Sequence, residues 1–532
     1  MRCGKMMIML RTDALPTPQQ KVRDLAILLL LTAIILGIVY KTSSQEFSFR
    51  GDGADYASIA RNLVRGKGLH SDLIYPLSLT FPFLRQLPQP LVHRSPLYPI
   101  VLAGFFSLTS VSDQSIKLLG MLFFLLTIPL VYLTALIFFQ RFTAFGCALF
   151  TLLNPRIFLL TVRGHTEPMS GFLFVAFMFF LFRKSERETI NIWICGALLG
   201  LLFLTRNYLL FALPAAGYYV YQKNRRLLPA FLLAFFLVCA PWLIRNYLLS
   251  GNPLFSLQNY GIMALRTLGM DDIFVNTVPM TAGYVFQNFP LPVIARGIAK
   301  SAYTMFKNFP LLINPLLFLF LFWPVSNQVP RTLQGFILLL VGIVAAPLIL
   351  YFTASRLLFF LVPLLTMVGM AKFIAVVSQV EKRWVRVAGW LSLGIITLLY
   401  VGFYYQEYYD YNRAWNNYQN KRPAAYARIS SMIQEETLVV ADSVASFIWY
   451  ADKPALYLPA YYEALKYCHE ILDFNYLVLF KANRRSTGYR ELFSYLAQKQ
   501  GQDITVFSPA KDRFLVSWQT FPFPVAVPPD QK

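Results

Sequence analysis

The sequence predicts a polytopic α-helical membrane protein that ends in a small water-soluble α/β domain. Three observations carry that expectation. The 532-residue chain is 57% hydrophobic and only 14% charged, whereas soluble domains carry about a quarter charged residues. Its apolar residues fall in runs of the length a bilayer demands, about 20 per helix. Its net charge of +22 is unevenly placed: from Gln406 onward 14 Lys and Arg stand against 13 Asp and Glu, so the excess lies in the first 405 residues.

The N-terminal stretch carries Arg2, Lys5, Arg11, Lys21 and Arg23, and Leu25–Tyr40 follows as an unbroken apolar run. No small-residue cleavage site follows clearly, so this reads as an uncleaved signal anchor with a cytoplasmic N-terminus. A stretch too polar to span then runs to about Pro96. Pro96–Thr109 is apolar but short, and reads as an interfacial or re-entrant helix. Further spans are expected at Ile116–Phe139, Phe142–Leu160, Met169–Phe182, Ile192–Thr205, Leu209–Tyr221, Leu227–Ile244, Leu311–Val325, Leu333–Phe352, Leu357–Val377 and Val387–Tyr404. With the anchor these make eleven, and thirteen at the outside.

Loop charge tests the parity. With the N-terminus inside, Arg141, RKSERE at 183–188, QKNRR at 222–226, the NQVPR turn and EKRWVR at 381–386 all fall on the cytoplasmic side. Making Pro96–Thr109 a span would put RKSERE, QKNRR and EKRWVR outside. Part of the basic excess is thus ordinary positive-inside topology. The rest lies on the outer side, where it suits an anionic ligand. Nucleic acid is excluded as a partner, because the basic residues are scattered between apolar spans.

From about Gln406 the pattern changes. ETLVVADS, KPALYLP, NYLVLFKA and DITVFSP read as short strands, and Tyr461–Leu472 and Gly488–Lys499 read as helices. Two domains are therefore expected: a membrane domain over 1–405, with a first outer loop at about 41–115, and an extracytoplasmic α/β domain over 406–532. The tail holds no nucleophile elbow or phosphate loop. Of the five cysteines only Cys468 falls in the tail, and no CxxC or Cys/His spacing supports a disulfide scaffold or zinc site.

The most informative segment follows the first span: FRGDGADYASIARNLVRGKGL, residues 49–69. Tyr56, Ile59, Ala60 and Leu63 form an apolar stripe at helical spacing, with Arg61 and Arg65 off it. The helix is expected to lie along the outer membrane surface. Asp52 suits an N-cap and Asp55 a first-turn carboxylate favoured by the helix dipole, so both have structural as well as catalytic readings.

The pattern D-x-x-x-Y-x-x-[IL]-A-x-x-[LM] after a signal anchor resembles the GT-C glycosyltransferases, in the branch of protein O-mannosyltransferases and aminoarabinose transferases. Asp52, Tyr56, Ile59, Ala60 and Leu63 carry the match. HRSPLYP at 93–99, RGHTEP at 163–168, LTRNYLLFALP at 204–214, APWLIRNYLLSGNPLF at 240–255 and SRLLFFLVP at 355–363 follow in family order, and VVADSVASFIWYADKPALYLP at 439–459 resembles the extracytoplasmic domain of many bacterial members.

The resemblance implies transfer of a hexose or pentose from a polyprenyl-phosphate donor, with inversion, at the outer face of an inner (plasma) membrane. The acceptor would be a protein, lipid A or another envelope glycan or lipid. It implies Asp52 as catalytic base, with Asp55 and Glu167 as further catalytic carboxylates. Gly53 stands where the family often has Glu, which leaves the choice between Asp52 and Asp55 open. Arg94, Arg206, Arg245 and Arg356 would bind the donor phosphate, supported by Tyr56, Arg61, His93, Arg163 and His165.

Rival readings remain for single residues. The arginines also suit snorkelling to the interface, and Glu167 before proline suits a helix start. His93 and His165 lack the spacing of a metal site, so no cofactor is indicated and a divalent cation is unsupported. Sugar contacts are expected from residues 70–93 and 250–300. Alternatives to transfer are a lipid-sugar flippase or transporter, and a non-catalytic homologue. Against transport, carboxylates lie in loops or at span ends and inverted repeats are not evident. Gly196 and Gly200 form GxxxG, expected to pack helices closely within the bundle.

Overall fold

The computed structural model describes residues 16–44, 51–260, 275, 277–307, 309–324, 329–351, 355–419, 426–427, 429–431, 433, 438–441, 443–459, 462–474, 476–480 and 513–517. In chain order the helices are α1 (Pro18–Ser44), α2 (Gly51–Val64), α3 (Leu97–Leu108), α4 (Asp113–Phe138), α5 (Arg141–Leu152), α6 (Pro155–Val162), α7 (Glu167–Phe182), α8 (Glu188–Thr205), α9 (Ala212–Asn224), α10 (Leu228–Ser250), α11 (Ala282–Asn288), α12 (Leu291–Phe306), α13 (Pro315–Leu321), α14 (Arg331–Tyr351), α15 (Val362–Gln379), α16 (Arg383–Gln419), α17 (Val444–Ala451) and α18 (Tyr462–Ile471). The strands are β1 (His70–Ser71), β2 (Leu73–Ile74), β3 (Gln89–Pro90), β4 (Val439–Ala441), β5 (Ala455–Tyr457), β6 (Tyr476–Phe480) and β7 (Arg513–Ser517). The expected helix at Gly488–Lys499 and strand in DITVFSP lie outside the described residues.

The chain divides into two units: Met1–Phe47 with Arg94–Phe255 and Leu291–Asn416, and Ser48–His93 with Ser256–Pro290 and Asn417–Lys532. This differs from the expected boundary between 405 and 406. α16 continues through Gln419, and much of the first outer loop folds with the tail.

Among the described residues of the first unit seven helices are long and apolar enough to cross a membrane, or nine if two bent pairs each count as one span. These are the counterparts of the eleven expected spans. α5 with α6, bent by 51°, occupies one; α13 ends a second pair, bent by 112°. Asn207–Ser250 is a 44-residue helical stretch holding two of them, with a 3-10 turn at Arg225–Leu227. α7 is as apolar but only 16 residues long. α3, with 12 residues, reaches roughly 18 Å at 1.5 Å per residue, short of the ~30 Å hydrocarbon core. α12 is a helix the sequence reading left inside a loop; it buries Ile294, Gly297, Ser301 and Met305, one face at helical spacing.

Close backbone approach sets the packing of α8 on α10. A methyl at Gly196 would run into the Phe231 carbonyl, and one at Gly200 would lie 2.9 Å from Val238 Cβ. The GxxxG pair thus joins two helices of one bundle, as its spacing implies. Buried charge is paired: Arg141 grips Asp24 of α1 through two bonds of 2.6 Å, and Tyr132 of α4 donates to the same carboxylate at 2.8 Å. Lys372 of α15 donates to the carbonyls of Leu321 and Trp323, at the C-terminal end of α13, where a cation suits the helix dipole.

The second unit is built on a five-stranded sheet ordered β2-β5-β4-β6-β7. β4 is central and parallel to β5 and β6, and β7 closes one edge antiparallel. β2, from the segment between α2 and α3, forms the other edge and runs parallel to β5. Its Ile74, with Leu79, sits in one core with Val440, Leu456, Leu465 and Leu477. β4, β5, β6 and α18 match expectation; β7 and α17 do not. Cys468 lies in this core, where burial pushes its thiol up to about 12.

α2 is a core element of this unit rather than a one-sided surface helix: residues 53 to 62 are all buried. Arg61 donates to the carbonyls of Ile448 and Trp449 at 2.7 and 2.8 Å and stacks 5.2 Å over the Trp449 ring. These are last-turn carbonyls of α17, which lack helical partners and carry the negative end of the dipole. Asp452, the C-cap, sits at φ +54. It lies 3.0 Å from Arg61 and takes two bonds of 2.8 and 2.7 Å from Arg65. Burial opposes the Asp452 charge, but the Arg65 hydrogen bonds and the Arg61 and Arg65 charges hold its carboxyl below the usual range. Burial raises Asp72, 3.7 Å from Arg61, against the Asn62 bond and the Arg61 charge.

Gly196→Leu should lower stability by about 1–3 kcal/mol or more through overpacking, while Gly171→Ala, with open space around it, should be neutral or stabilising. Thermal denaturation of the detergent-purified protein distinguishes them. Asp452→Asn keeps a residue tolerant of the left-handed backbone but removes the charge facing Arg61, at a cost of about 1–2 kcal/mol. A depressed carboxyl stabilises above its unfolded value of about 3.8 and loses that contribution as pH falls through its folded value. The gap in thermal midpoint between wild type and Asp452→Asn should therefore be constant near neutrality and narrow below about pH 4; a pH-independent gap contradicts the ion-pair assignment.

Candidate active site

The expected site residues fall into two groups, one in each unit. In the second unit, α2 opens at Gly51, whose φ of +55 is a left-handed conformation suited to glycine. Asp52 lies in the first turn and is half-buried. The helix begins before it, so it is a first-turn carboxylate rather than the N-cap. Asp55, one turn on, is fully buried, and its Oδ2 lies 3.0 Å from His93 Nε2. His93 is itself buried and meets the Tyr75 ring edge-on at 4.9 Å. The sequence carried Asp52 as the base and left open whether Asp55 takes that role; in the structure the surroundings of the two differ. Asp55 is committed to orienting His93, whereas Asp52 stands half-buried where the dipole favours its charge.

Tyr56 is buried beside this pair in sequence. Arg61, expected to support the site, is instead held by the end of α17 as described above. Sequence reasoning missed Asp452 as its partner; only the left-handed tendency of an Asp after an apolar run hints at that turn.

In the first unit, Glu167 opens α7 and is buried. Arg206 Nη2 lies 2.8 Å from its Oε1, and His165 Nδ1 lies 3.7 Å from Oε2. Arg356 Nη1 in turn lies 2.9 Å from His165 Nδ1. Gly164, at φ +67, turns the chain between Arg163 and His165. Two further bonds tie the segments: Ser95 donates to Asn207 at 2.8 Å, linking the neighbours of Arg94 and Arg206, and Tyr208 donates to the Leu357 carbonyl at 2.6 Å, beside Arg356. Arg94 is half-buried. Arg245 is held on its own helix, stacking 4.8 Å over Trp242 and donating to Asn246 at 3.0 Å.

Four of the predicted residues, His165, Glu167, Arg206 and Arg356, thus form one connected cluster. Arg94 and Arg163 flank its segments in sequence, and Arg245 belongs to a local arrangement. One carboxylate set among two guanidiniums leaves net positive charge, suited to a phosphate. Among the described residues no group of three or more His, Cys, Asp or Glu is arranged to hold a metal ion. Arg156, at the start of α6, was not anticipated. Its guanidinium lies 5.2 Å from the Phe359 ring and 5.4 Å from the Tyr404 ring.

Residues 93–244 match the family described as dolichyl-phosphate-mannose-protein mannosyltransferase. No curated protein matches the chain in sequence. Among solved structures, ArnT from Cupriavidus metallidurans bound to undecaprenyl phosphate is similar, with a TM-score of 0.51 at 15% identity, over 92% of this chain and 97% of that one. Its apo state gives 0.53 at 15% identity, over 92% and 98%. The oligosaccharyltransferase AglB from Archaeoglobus fulgidus, in complex with an inhibitory peptide and a dolichol-phosphate, gives 0.57 at 13% identity, over 92% and 74%. The chain shares the membrane fold of ArnT and AglB, and over residues 93–244 it is similar to the dolichyl-phosphate-mannose-protein mannosyltransferase family.

Proposed function

We propose that this protein transfers a hexosyl or pentosyl group from a polyprenyl-phosphate donor to a nucleophilic acceptor at the outer face of the inner membrane, with inversion. The observation that carries the reading is the cation-rich cluster around Glu167. Arg206 and Arg356 are both drawn to it, in a chain whose fold is shared with a structure that binds undecaprenyl phosphate.

The chemistry is consistent with these groups. The bond between the anomeric carbon and the phosphate oxygen breaks, and polyprenyl phosphate leaves. Fixed guanidiniums stabilise the charge that develops on that oxygen, and more strongly in a low-dielectric site than in water. The phosphate is a good leaving group and requires no general acid. The acceptor hydroxyl or amine attacks opposite the phosphate and yields its proton to a carboxylate, for which Asp52 is the better-placed candidate. Asp55 acts through His93 as a positioning residue. The acceptor class, a protein, lipid A or an envelope glycan, belongs to this proposal, as does the extracytoplasmic location of the tail.

A deletion strain complemented with variants tests it by mass spectrometry of glycolipids and glycoproteins. Deletion should accumulate a polyprenyl-phosphate sugar and remove one modification. Asp52→Asn, at normal membrane abundance, should lower transfer by about 10²–10⁴-fold. Full activity in that variant would remove Asp52 as the base, and a deletion that leaves every lipid-linked sugar and glycan unchanged would overturn the reaction itself.

A further inference from the structure

Arg156 is held firmly for a residue with no ionic partner among the described residues. Asn154 caps α6, its Oδ1 accepting from the backbone N–H of Arg156 and Ile157 at 3.1 and 3.4 Å, and its amide donates to the Leu312 carbonyl at 2.7 Å. The backbone is therefore fixed in the first turn, with Pro155 ahead of it. The guanidinium packs against the rings of Phe359 and Tyr404. Its Nη1 is buried without a hydrogen-bond acceptor among the described residues. Among those residues no carboxylate pairs with it either.

Electrostatics make this arrangement costly as it stands. A cation at a helix N-terminus faces the positive end of the dipole, and a buried donor without an acceptor costs about 1–3 kcal/mol. The ring faces offset part of that. Phe359 and Arg356 stand three residues apart in the 3-10 helix Ser355–Leu361, where side chains at that spacing eclipse one another. Two arginines thus approach one turn from two elements. An anion there would meet Arg156 and Arg356 together. Tyr404 also lies on α16, whose Leu398, Leu399 and Phe403 are exposed and apolar, so the hydrocarbon tail of an amphiphile is accommodated along the same helix.

We infer that Arg156 is a phosphate-contacting residue, holding the phosphate monoester of a polyprenyl lipid together with Arg356. The inference rests on the glycosyl-transfer reading and adds to it a specificity determinant for the charged end of the donor lipid.

The test uses the full chain in phosphatidylcholine nanodiscs, with undecaprenyl phosphate and uncharged undecaprenol as probes. Wild type should prefer the phosphate. Arg156→Ala should weaken undecaprenyl phosphate by about 10- to 100-fold and leave undecaprenol within about twofold, the scatter expected for a lost surface contact. Arg156→Lys should recover part of the loss, because it keeps the charge without the planar fork. Equal weakening of both probes would mark a structural role and overturn the inference, as would unchanged affinity for undecaprenyl phosphate. Competition by inorganic phosphate or phosphatidylglycerol as effective as by undecaprenyl phosphate would overturn the polyprenyl assignment. A wild type without preference for the phosphate would overturn the donor reading itself, whereas a preference that survives Arg156→Ala overturns this inference alone.

Discussion

The first unit is organised around a buried carboxylate. Taking Glu167 out of water costs several kcal/mol unless cations and donors meet it, and its side chain is only 5% exposed. That cost constrains the chain on every side. Arg206 must leave the end of α8 extended, at φ −149 and ψ 114, to reach the carboxylate. His165 must turn back toward it, which Gly164 permits. Arg356 must be held by His165. The bonds from Ser95 to Asn207 and from Tyr208 to the Leu357 carbonyl then fix segments that are remote in sequence. The same device that stabilises the fold gathers two guanidiniums around one carboxylate, a grouping suited to an anion.

The second unit uses the opposite economy. Here the buried group is a cation, Arg61, and burial works against its charge. Its chief acceptors are backbone carbonyls that α17 would otherwise leave unmet, with Asp452 and Asp72 nearby. The segment that follows α1 consequently contributes both a buried helix and an edge strand to a unit whose other sheet strands begin at Val439. The loop residues from Gly51 to His93 are therefore constrained by the tail fold, and the placement of Asp52 and Asp55 inherits that rigidity.

Much of this was legible in the sequence because it depends on local pattern. Apolar length gave the spans, and the Gly196–Gly200 spacing gave close packing within the bundle, which the structure places between α8 and α10. Short aliphatic and aromatic runs gave β4, β5 and β6. What stayed hidden depends on partners far along the chain. Leu73–Ile74 is too short to signal a strand, and only pairing with Ala455–Leu456 makes it one. α17, VASFIWYA, is nearly all apolar, so periodicity could not tell it from a buried strand. α12 carries a clear stripe, but Arg296, Lys300 and the prolines around it obscured that stripe within a polar loop. Arg61 read as an exposed residue off the apolar face because nothing local reveals the carbonyls it serves.

The two acidic residues of α2 show how geometry assigns roles that residue type leaves open. Both lie within the first turn or so of one helix, and both suit a dipole-stabilised carboxylate. A base must meet a proton that arrives from outside the protein, so it requires an accessible oxygen. Asp55 is fully buried and bonded to His93, which is buried in turn. A group in that position can fix an orientation, and it cannot receive an acceptor without dismantling its own packing. Asp52 retains access, follows a glycine whose left-handed backbone sets the helix start, and stands one residue from Gly53. A bulkier acidic residue at that buried position would add a second charge without water to solvate it. Glycine there therefore fits the proposed reading, in which Asp52 is the base at the head of α2 and Asp55 its buried support.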